Sequence, residues 1–132
     1  MANAPAQFKL LVIDDEPDLR TLYELTLIRE GYAVETAGTV EQALALLKEH
    51  DYSAVITDMR LPDGSGLDVL AWIEQHGARR EKAIVITAYG SAENAVEALK
   101  SGAYDYLTTP GDLRQFRAVG ASALGRAAPQ AA

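Results

Sequence analysis

The chain has 132 residues, which is enough for one domain with its own core. Its net charge of −7 makes it a poor partner for nucleic acid or anionic membranes. The chain has no cysteine, which excludes disulfides and cysteine-bound zinc, and no signal peptide or membrane-length apolar run, so we expect a cytoplasmic protein.

Short apolar or β-branched runs alternate along the chain with segments of helical periodicity. The runs predict five strands, at residues 8–13, 32–36, 53–57, 83–87 and 104–108. The segments between them predict five helices, which begin near residues 17, 39, 66, 91 and 112. Pro17 suits a first helical turn, and Gly31 and Gly102 suit helix ends. Residues 59–64 are predicted as a loop that leads into the third helix.

This alternation predicts one folded domain, at residues 8–124. A flexible arm (1–7) is expected before it and a linker or tail (125–132) after it. Strands that alternate with helices form a parallel sheet covered on both faces. Right-handed crossovers leave few strand orders, and we predict the order 2-1-3-4-5 of the flavodoxin-like, doubly wound α/β fold.

Acidic side chains follow the first and third predicted strands. Asp14 and Asp15 come directly after the first strand, and Asp58 comes directly after the third. Neighbouring strands lie about 4.8 Å apart, so these carboxylates should converge, with Thr87 beside them after the fourth strand. Taken singly, each residue suits a helix cap or turn equally well. Together they favour a hard cation such as Mg²⁺ and phosphoryl transfer with Asp58 as the nucleophile.

Four sequence blocks resemble those of response regulator receiver domains. They are residues 11–17 (LVIDDEP), 56–66 (ITDMRLPDGSG), 86–91 (ITAYGS) and 102–107 (GAYDYL). Four blocks in this order are a specific signal, and the resemblance extends over about residues 8–124. The middle blocks are most similar to NtrC-like regulators, which activate the nitrogen-type sigma factor, and among these to regulators of type IV pilus genes.

The resemblance implies roles for individual residues. Asp58 would accept phosphate from a sensor histidine kinase. The residues that would hold Mg²⁺ are Asp14, Asp15, Asp58 and Arg60, the last through its backbone carbonyl. Thr87 and Tyr106 would respond to the phosphoryl group and change an output surface.

The resemblance also implies a biological context. The domain would assist its own phosphorylation without being an enzyme, and its switch would serve transcription regulation. A homodimer is one candidate assembly. Full-length relatives append an ATPase and a DNA-binding domain.

One position departs from the family pattern. Receivers carry a lysine immediately before the proline after the fifth strand, where this chain has Thr109 before Pro110. A neutral hydroxyl cannot replace the ammonium that pairs with the acceptor carboxylate. The four lysines are predicted far from the site, and Arg60 is a partial substitute at best.

A degenerate receiver and an engineered substitution both explain the change. We predict that Mg²⁺ binding survives and that coupling to output is impaired.

Three other functions fit parts of the pattern. A flavin-binding module would need phosphate-binding groups after the first strand, where Asp14-Asp15-Glu16 repel phosphate. An aspartyl phosphohydrolase would need a second acid two residues after Asp58, where Arg60 stands. A pseudo-receiver that works by protein contact without phosphorylation is favoured by Thr109 and is the main alternative.

Overall fold

The structure of this chain is a computed structural model. It describes residues 8–76, 82–87, 92–108 and 113–125. The predicted arm (1–7), nearly all of the predicted tail, and Thr109 and Pro110 lie outside the described residues.

A five-stranded parallel sheet forms the centre of the domain. Its strands are β1 (Lys9–Ile13), β2 (Ala33–Ala37), β3 (Ala54–Asp58), β4 (Lys82–Thr87) and β5 (Asp105–Thr108). Their order is β2-β1-β3-β4-β5, and each neighbouring pair is parallel. The predicted order is confirmed, and the strand ends differ from the predicted ones by no more than one residue.

The described helices follow the strands as predicted. They are α1 (Pro17–Arg29), α2 (Val40–Glu49), α3 (Gly66–His76), α4 (Ala92–Lys100) and α5 (Leu113–Ala123). Gly31 and Gly102 adopt positive φ angles of 94° and 104° just after α1 and α4, which glycine tolerates without strain. None of the helices among these residues is long and apolar enough to span a membrane.

The sheet is buried on both faces, and β1 shows why its sequence is apolar throughout. Leu10 and Val12 pack in one core cluster with residues of α1 and α5. Leu11 and Ile13 point to the opposite face and pack with residues of α2 and α3. A strand covered on both sides has no polar alternation, so the apolar run FKLLVI is the expected pattern for a central parallel strand.

Between β3 and α3 the chain forms a short antiparallel ladder. Arg60–Leu61 pairs with Gly64–Ser65, which leaves a two-residue turn at 62–63. We call Arg60–Ser65 the site hairpin. The prediction of a loop at 59–64 is wrong here, because two paired residues on each side are too few to show a strand period in the sequence.

Gly66 joins the site hairpin closely to the end of β3. Its N–H donates to the carbonyl oxygen of Met59 over 2.9 Å. A side chain at Gly66 would overlap the carbonyl oxygen of Asp58 and would lie 3.0 Å from Cγ2 of the fully buried Thr57. Neither neighbour can move without displacing the central sheet, so this position requires glycine.

We therefore expect Gly66→Ala to lower the free energy of unfolding by about 3 kcal/mol, because the added methyl group overlaps backbone. Gly120→Ala is the matched control. Gly120 lies inside α5 with open space where its Cβ would be, so the same change should stabilise the domain by about 1 kcal/mol. Urea unfolding of both variants measures the difference, and equal effects would contradict the assigned close contact.

Candidate functional site

Three carboxylates meet where β1 and β3 end. Ile13 pairs with Thr57 in the β1–β3 register, so the residues that follow, Asp14 and Asp58, leave the sheet side by side. Asp14, Asp15 and Asp58 each present a carboxylate oxygen, and these oxygens lie within 4.8 Å of one another. The topology thus brings together the acidic residues that the sequence analysis selected.

Asp14 is the most buried member of this cluster. Its side chain is 3% exposed and accepts a hydrogen bond from the Glu16 N–H over 2.8 Å. Burial raises the pKa of Asp14 to about 6, and the negative charges of Asp58 and Asp15 add to that increase. The ionised form of Asp14 is therefore less favourable in the folded domain than that of an exposed aspartate, although it still predominates at pH 7.

Asp58 is half-buried and surrounded by donors. Burial raises its pKa, and the charge of Asp15 raises it further. The N–H groups of Arg60 and Met59 and the Thr87 hydroxyl hydrogen-bond to the carboxylate and oppose that increase. The Arg60 bond to Oδ1 is long, at 3.4 Å. Asp58 is thus held by neutral donors on one side and faces two like charges on the other.

Thr87 and Tyr106 lie on the two strands beyond β3. Thr87 ends β4 and is buried, with its hydroxyl against Asp58. Tyr106 pairs with Val85 in β5 and packs against a core cluster that includes Met59. Its buried hydroxyl has no hydrogen-bond partner within the described ranges. Thr109, the position of the family lysine, lies outside them.

All four lysines lie away from the acidic cluster, as predicted. Lys9 and Lys82 begin β1 and β4, at the opposite edge of the sheet. Lys48 and Lys100 occupy the last turns of α2 and α4, which also end at that edge. Arg60 is exposed on the site hairpin.

The sequence analysis missed one cation that does approach the cluster. The Arg20 guanidinium donates to the backbone carbonyl oxygen of Asp14 over 2.8 Å, and its charge lowers the pKa of that carboxyl against the stronger effect of burial. Arg20 lies in the first turns of α1, close to Pro17. Helical spacing from Pro17 could have indicated that its side chain returns toward the end of β1.

The donor set fits a hard divalent cation. Asp14, Asp15 and Asp58 offer only oxygen atoms, which Mg²⁺ prefers to nitrogen or sulfur. Two of these carboxyls have raised pKa values, because they are buried and because like charges face each other. A bound cation would offset the repulsion between these carboxylates and lower their pKa values.

Comparisons with known proteins agree on the kind of domain. A family model described as "Response regulator receiver domain" matches residues 10–119. The chain is 46% identical over 123 residues to the response regulator protein PilR of Pseudomonas aeruginosa, a match that covers 93% of this chain and 27% of that protein. It is 40% identical over 109 residues to the transcriptional regulatory protein KdpE of Mycobacterium tuberculosis, covering 83% of this chain and 47% of that protein.

Solved structures show the same likeness. The beryllofluoride-activated NtrC4 receiver domain dimer superposes with a TM-score of 0.83 at 32% identity, over 89% of this chain and 96% of that one. The signal receiver domain of a LuxO-type repressor protein from Vibrio parahaemolyticus superposes with a TM-score of 0.84 at 30% identity, over 89% and 90%. This chain spans less than half of the length of the curated relatives PilR and KdpE.

The raised pKa of Asp14 has a consequence for stability in metal-free buffer. A carboxyl with a higher pKa in the folded state than in the unfolded state contributes stability below about pH 4, and that stability is lost as the pH rises through about 6. Asp14→Asn keeps an acceptor for the Glu16 N–H and removes the charge. It should raise the free energy of unfolding by about 2 kcal/mol at pH 7.5 and have little effect at pH 4.

Urea unfolding in EDTA at several pH values measures this difference. Glu49→Gln removes a negative charge at the exposed end of α2, on the other edge of the sheet, and serves as the control. A stabilisation by Asp14→Asn that does not change between pH 4 and 7.5 would refute the assignment to Asp14 ionisation.

The unpartnered hydroxyl of Tyr106 also generates a prediction. A buried hydroxyl without a hydrogen bond costs about 1–3 kcal/mol, so Tyr106→Phe should raise the free energy of unfolding by about 1 kcal/mol. Tyr52→Phe is the control, because the Tyr52 hydroxyl donates to Glu35 and its loss should destabilise by about 1 kcal/mol. Destabilisation by both variants would show that Tyr106 has a partner in solution.

Proposed function

This chain belongs to the response regulator receiver family, and on that basis we propose that Asp58 is the phosphoacceptor of a two-component phosphorelay. Its curated relatives PilR and KdpE are regulators, and KdpE is by name a transcriptional one. The observation that carries the proposal is the convergence of Asp14, Asp15 and Asp58 at the carboxyl edge of the sheet, where doubly wound folds bind ligands.

The reacting atoms belong to Asp58. One of its carboxylate oxygens forms a bond to phosphorus while the bond from phosphorus to the donor's leaving group breaks. The N–H groups of Met59 and Arg60 hold the carboxylate in place. The Thr87 hydroxyl, which contacts Asp58 before the reaction, is close enough to donate to a phosphoryl oxygen afterwards.

Mg²⁺ is the cofactor that this arrangement supports. Asp14, Asp15, Asp58 and the backbone carbonyl of Arg60 would hold it, and the resemblance assigns Asp14 a contribution through water. When bound, Mg²⁺ offsets the negative charge of the carboxylates and of the phosphoryl oxygens. The residues of the chain supply the oxygen ligands and keep Asp58 at the edge of the site.

Tyr106 is the proposed link to an output surface. Its hydroxyl has no partner in the described part of the chain, so no hydrogen bond opposes a change of rotamer. A phosphoryl group shifts a conformational equilibrium only through contacts that differ between the two states. Thr87 beside the acceptor and Tyr106 on the next strand are the residues we assign to that difference.

The partners are part of the same proposal. A sensor histidine kinase donates the phosphoryl group, and the domain acts in the cytoplasm without direct contact to nucleic acid or membrane. A homodimer is its candidate assembly, since the NtrC4 receiver domain was solved as a dimer. An ATPase and a DNA-binding domain carry the output in a full-length relative.

The phosphorylation-independent alternative receives no support from the comparisons. It rested on Thr109, which lies outside the described residues. The impaired coupling expected from the missing lysine stays a prediction, and so does the survival of Mg²⁺ binding.

Acetyl phosphate provides the direct test. With Mg²⁺, the protein should gain the mass of one phosphoryl group, as measured by intact mass spectrometry, and it should gain none in EDTA. Asp58→Asn should abolish the adduct, because an amide is not a nucleophile at phosphorus. Asp51→Asn, the same change at an exposed aspartate before β3, should leave the adduct unchanged.

Thr109→Lys decides between the proposal and its alternative. Phosphorylation of the unsubstituted chain, with a larger phosphate-induced change of amide chemical shifts in Thr109→Lys, is the expected result. An adduct in Thr109→Lys alone would establish the pseudo-receiver. An adduct that persists in Asp58→Asn would place the acceptor elsewhere.

A further inference from the structure

Asp63 connects the site hairpin to a helix that contributes nothing to the acidic cluster. Its Oδ1 accepts a hydrogen bond from the Val40 N–H over 2.8 Å, and its Oδ2 accepts one from the Glu41 N–H over 3.0 Å. Both oxygens of one carboxylate are therefore bonded to successive amides in the first turn of α2. These bonds lower the pKa of Asp63, so it is ionised at neutral pH.

The helix already has a cap of its own. The Thr39 hydroxyl accepts from the Gln42 N–H over 3.0 Å, and the Gln42 side chain accepts from the Gly38 N–H over 2.8 Å. This is a reciprocal capping box within the segment that begins α2. Asp63 adds two bonds from a segment that is more than 20 residues away in the sequence. Its two bonds therefore attach the hairpin to α2, in addition to capping the helix.

The site hairpin needs such attachment. Two-stranded ladders are marginally stable alone, and this one has only two paired residues on each strand. Leu61 is buried in the core cluster that contains Val40 and Ala43, which fixes how deeply the hairpin lies. The bonds from the Gly66 N–H to the Met59 carbonyl and from the Ser65 N–H to Asp68 hold the base of the hairpin, where the chain leaves β3 and enters α3. The two directed bonds of Asp63 hold its tip against α2.

The other end of the site hairpin contacts the acceptor. Arg60, its first residue, donates its N–H to Oδ1 of Asp58 over 3.4 Å. Arg60 is also the residue whose carbonyl the family resemblance places on the metal. A rotation of the hairpin would therefore move two groups of the site at once.

We propose that Asp63 is a positioning residue for phosphorylation: its carboxylate fixes the site hairpin on the first turn of α2, and the hairpin in turn fixes Arg60 against Asp58. This inference rests on the proposed function of Asp58. Asp63 itself touches neither the acceptor nor a metal ligand, so it acts through the hairpin alone.

Asp63→Ala and Thr39→Ala form the matched pair that tests it. Both remove acceptors from amides in the first turn of α2, and both lower the stability of the helix. Only Asp63→Ala releases the hairpin. We expect it to weaken Mg²⁺ binding, measured by calorimetry, by about 10-fold, the lower end of the effect of residues that orient metal ligands. Phosphorylation by acetyl phosphate at subsaturating Mg²⁺ should slow by a similar factor.

Thr39→Ala should change both quantities by less than about twofold, since its contacts stay within the segment that begins α2. Asp63→Asn should have an intermediate effect, because its amide oxygen can accept from Val40 while its NH₂ group cannot accept from Glu41. Equal effects of Asp63→Ala and Thr39→Ala on Mg²⁺ affinity would overturn the proposal and reduce Asp63 to a helix cap.

Hydrogen exchange in EDTA separates this inference from the proposed function. The Ser65 and Gly66 amides should exchange faster in metal-free Asp63→Ala than in the unsubstituted chain or in Thr39→Ala. Unchanged exchange would overturn the positioning role whether or not Asp58 takes up phosphate. Faster exchange in a protein that forms no adduct would support the role of Asp63 and refute that of Asp58.

Discussion

The burial of neighbouring carboxylates at one edge of the sheet is the constraint on which the site depends. Asp14, Asp15 and Asp58 converge because β1 and β3 are parallel neighbours, with Asp14 and Asp15 directly after β1 and Asp58 at the end of β3. Burial and like charge make the ionised cluster unfavourable in the folded domain, as the raised pKa values of Asp14 and Asp58 show. The fold thus creates a local need for positive charge, and a cation bound there would recover part of the cost.

The described part of the chain supplies little of that charge. Arg20 is bonded to the backbone carbonyl of Asp14, and its charge offsets only part of the increase in the pKa of that carboxyl. The lysines lie at the other edge of the sheet. At Asp58 the stabilising groups are neutral donors, namely two N–H groups and the Thr87 hydroxyl. Such donors orient a carboxylate well, but they do not cancel its charge as a cation does.

Local patterns in the sequence were sufficient for the sheet and for the acidic cluster. Apolar runs predicted each strand to within one residue. The alternation with helices left few strand orders, and the common flavodoxin-like order chosen among them is the one observed. The placement of Asp58 beside Asp14 then followed from topology. The bonds of Asp63 to α2 could not be foreseen, because they join residues more than 20 positions apart and depend on how the site hairpin turns. Arg20 was missed for a similar reason. Helix periodicity predicts which face of the helix a residue occupies, but it does not predict where the end of a long side chain lies.

Asp58 and Asp63 show how environment assigns different roles to chemically identical groups within one short segment. Burial and a neighbouring charge raise the pKa of Asp58, whereas two backbone amides lower that of Asp63. The Asp63 carboxylate is bonded to two amides of α2, outside the acidic cluster, so it serves as an anchor. A carboxylate beside like charges gains from any cation that arrives, so it serves as the reactive group. The segment DMRLPD carries both. Asp58 lies in the acidic cluster and Asp63 is bonded to α2, and this difference in position is the physical ground for assigning phosphate to the first and attachment to the second.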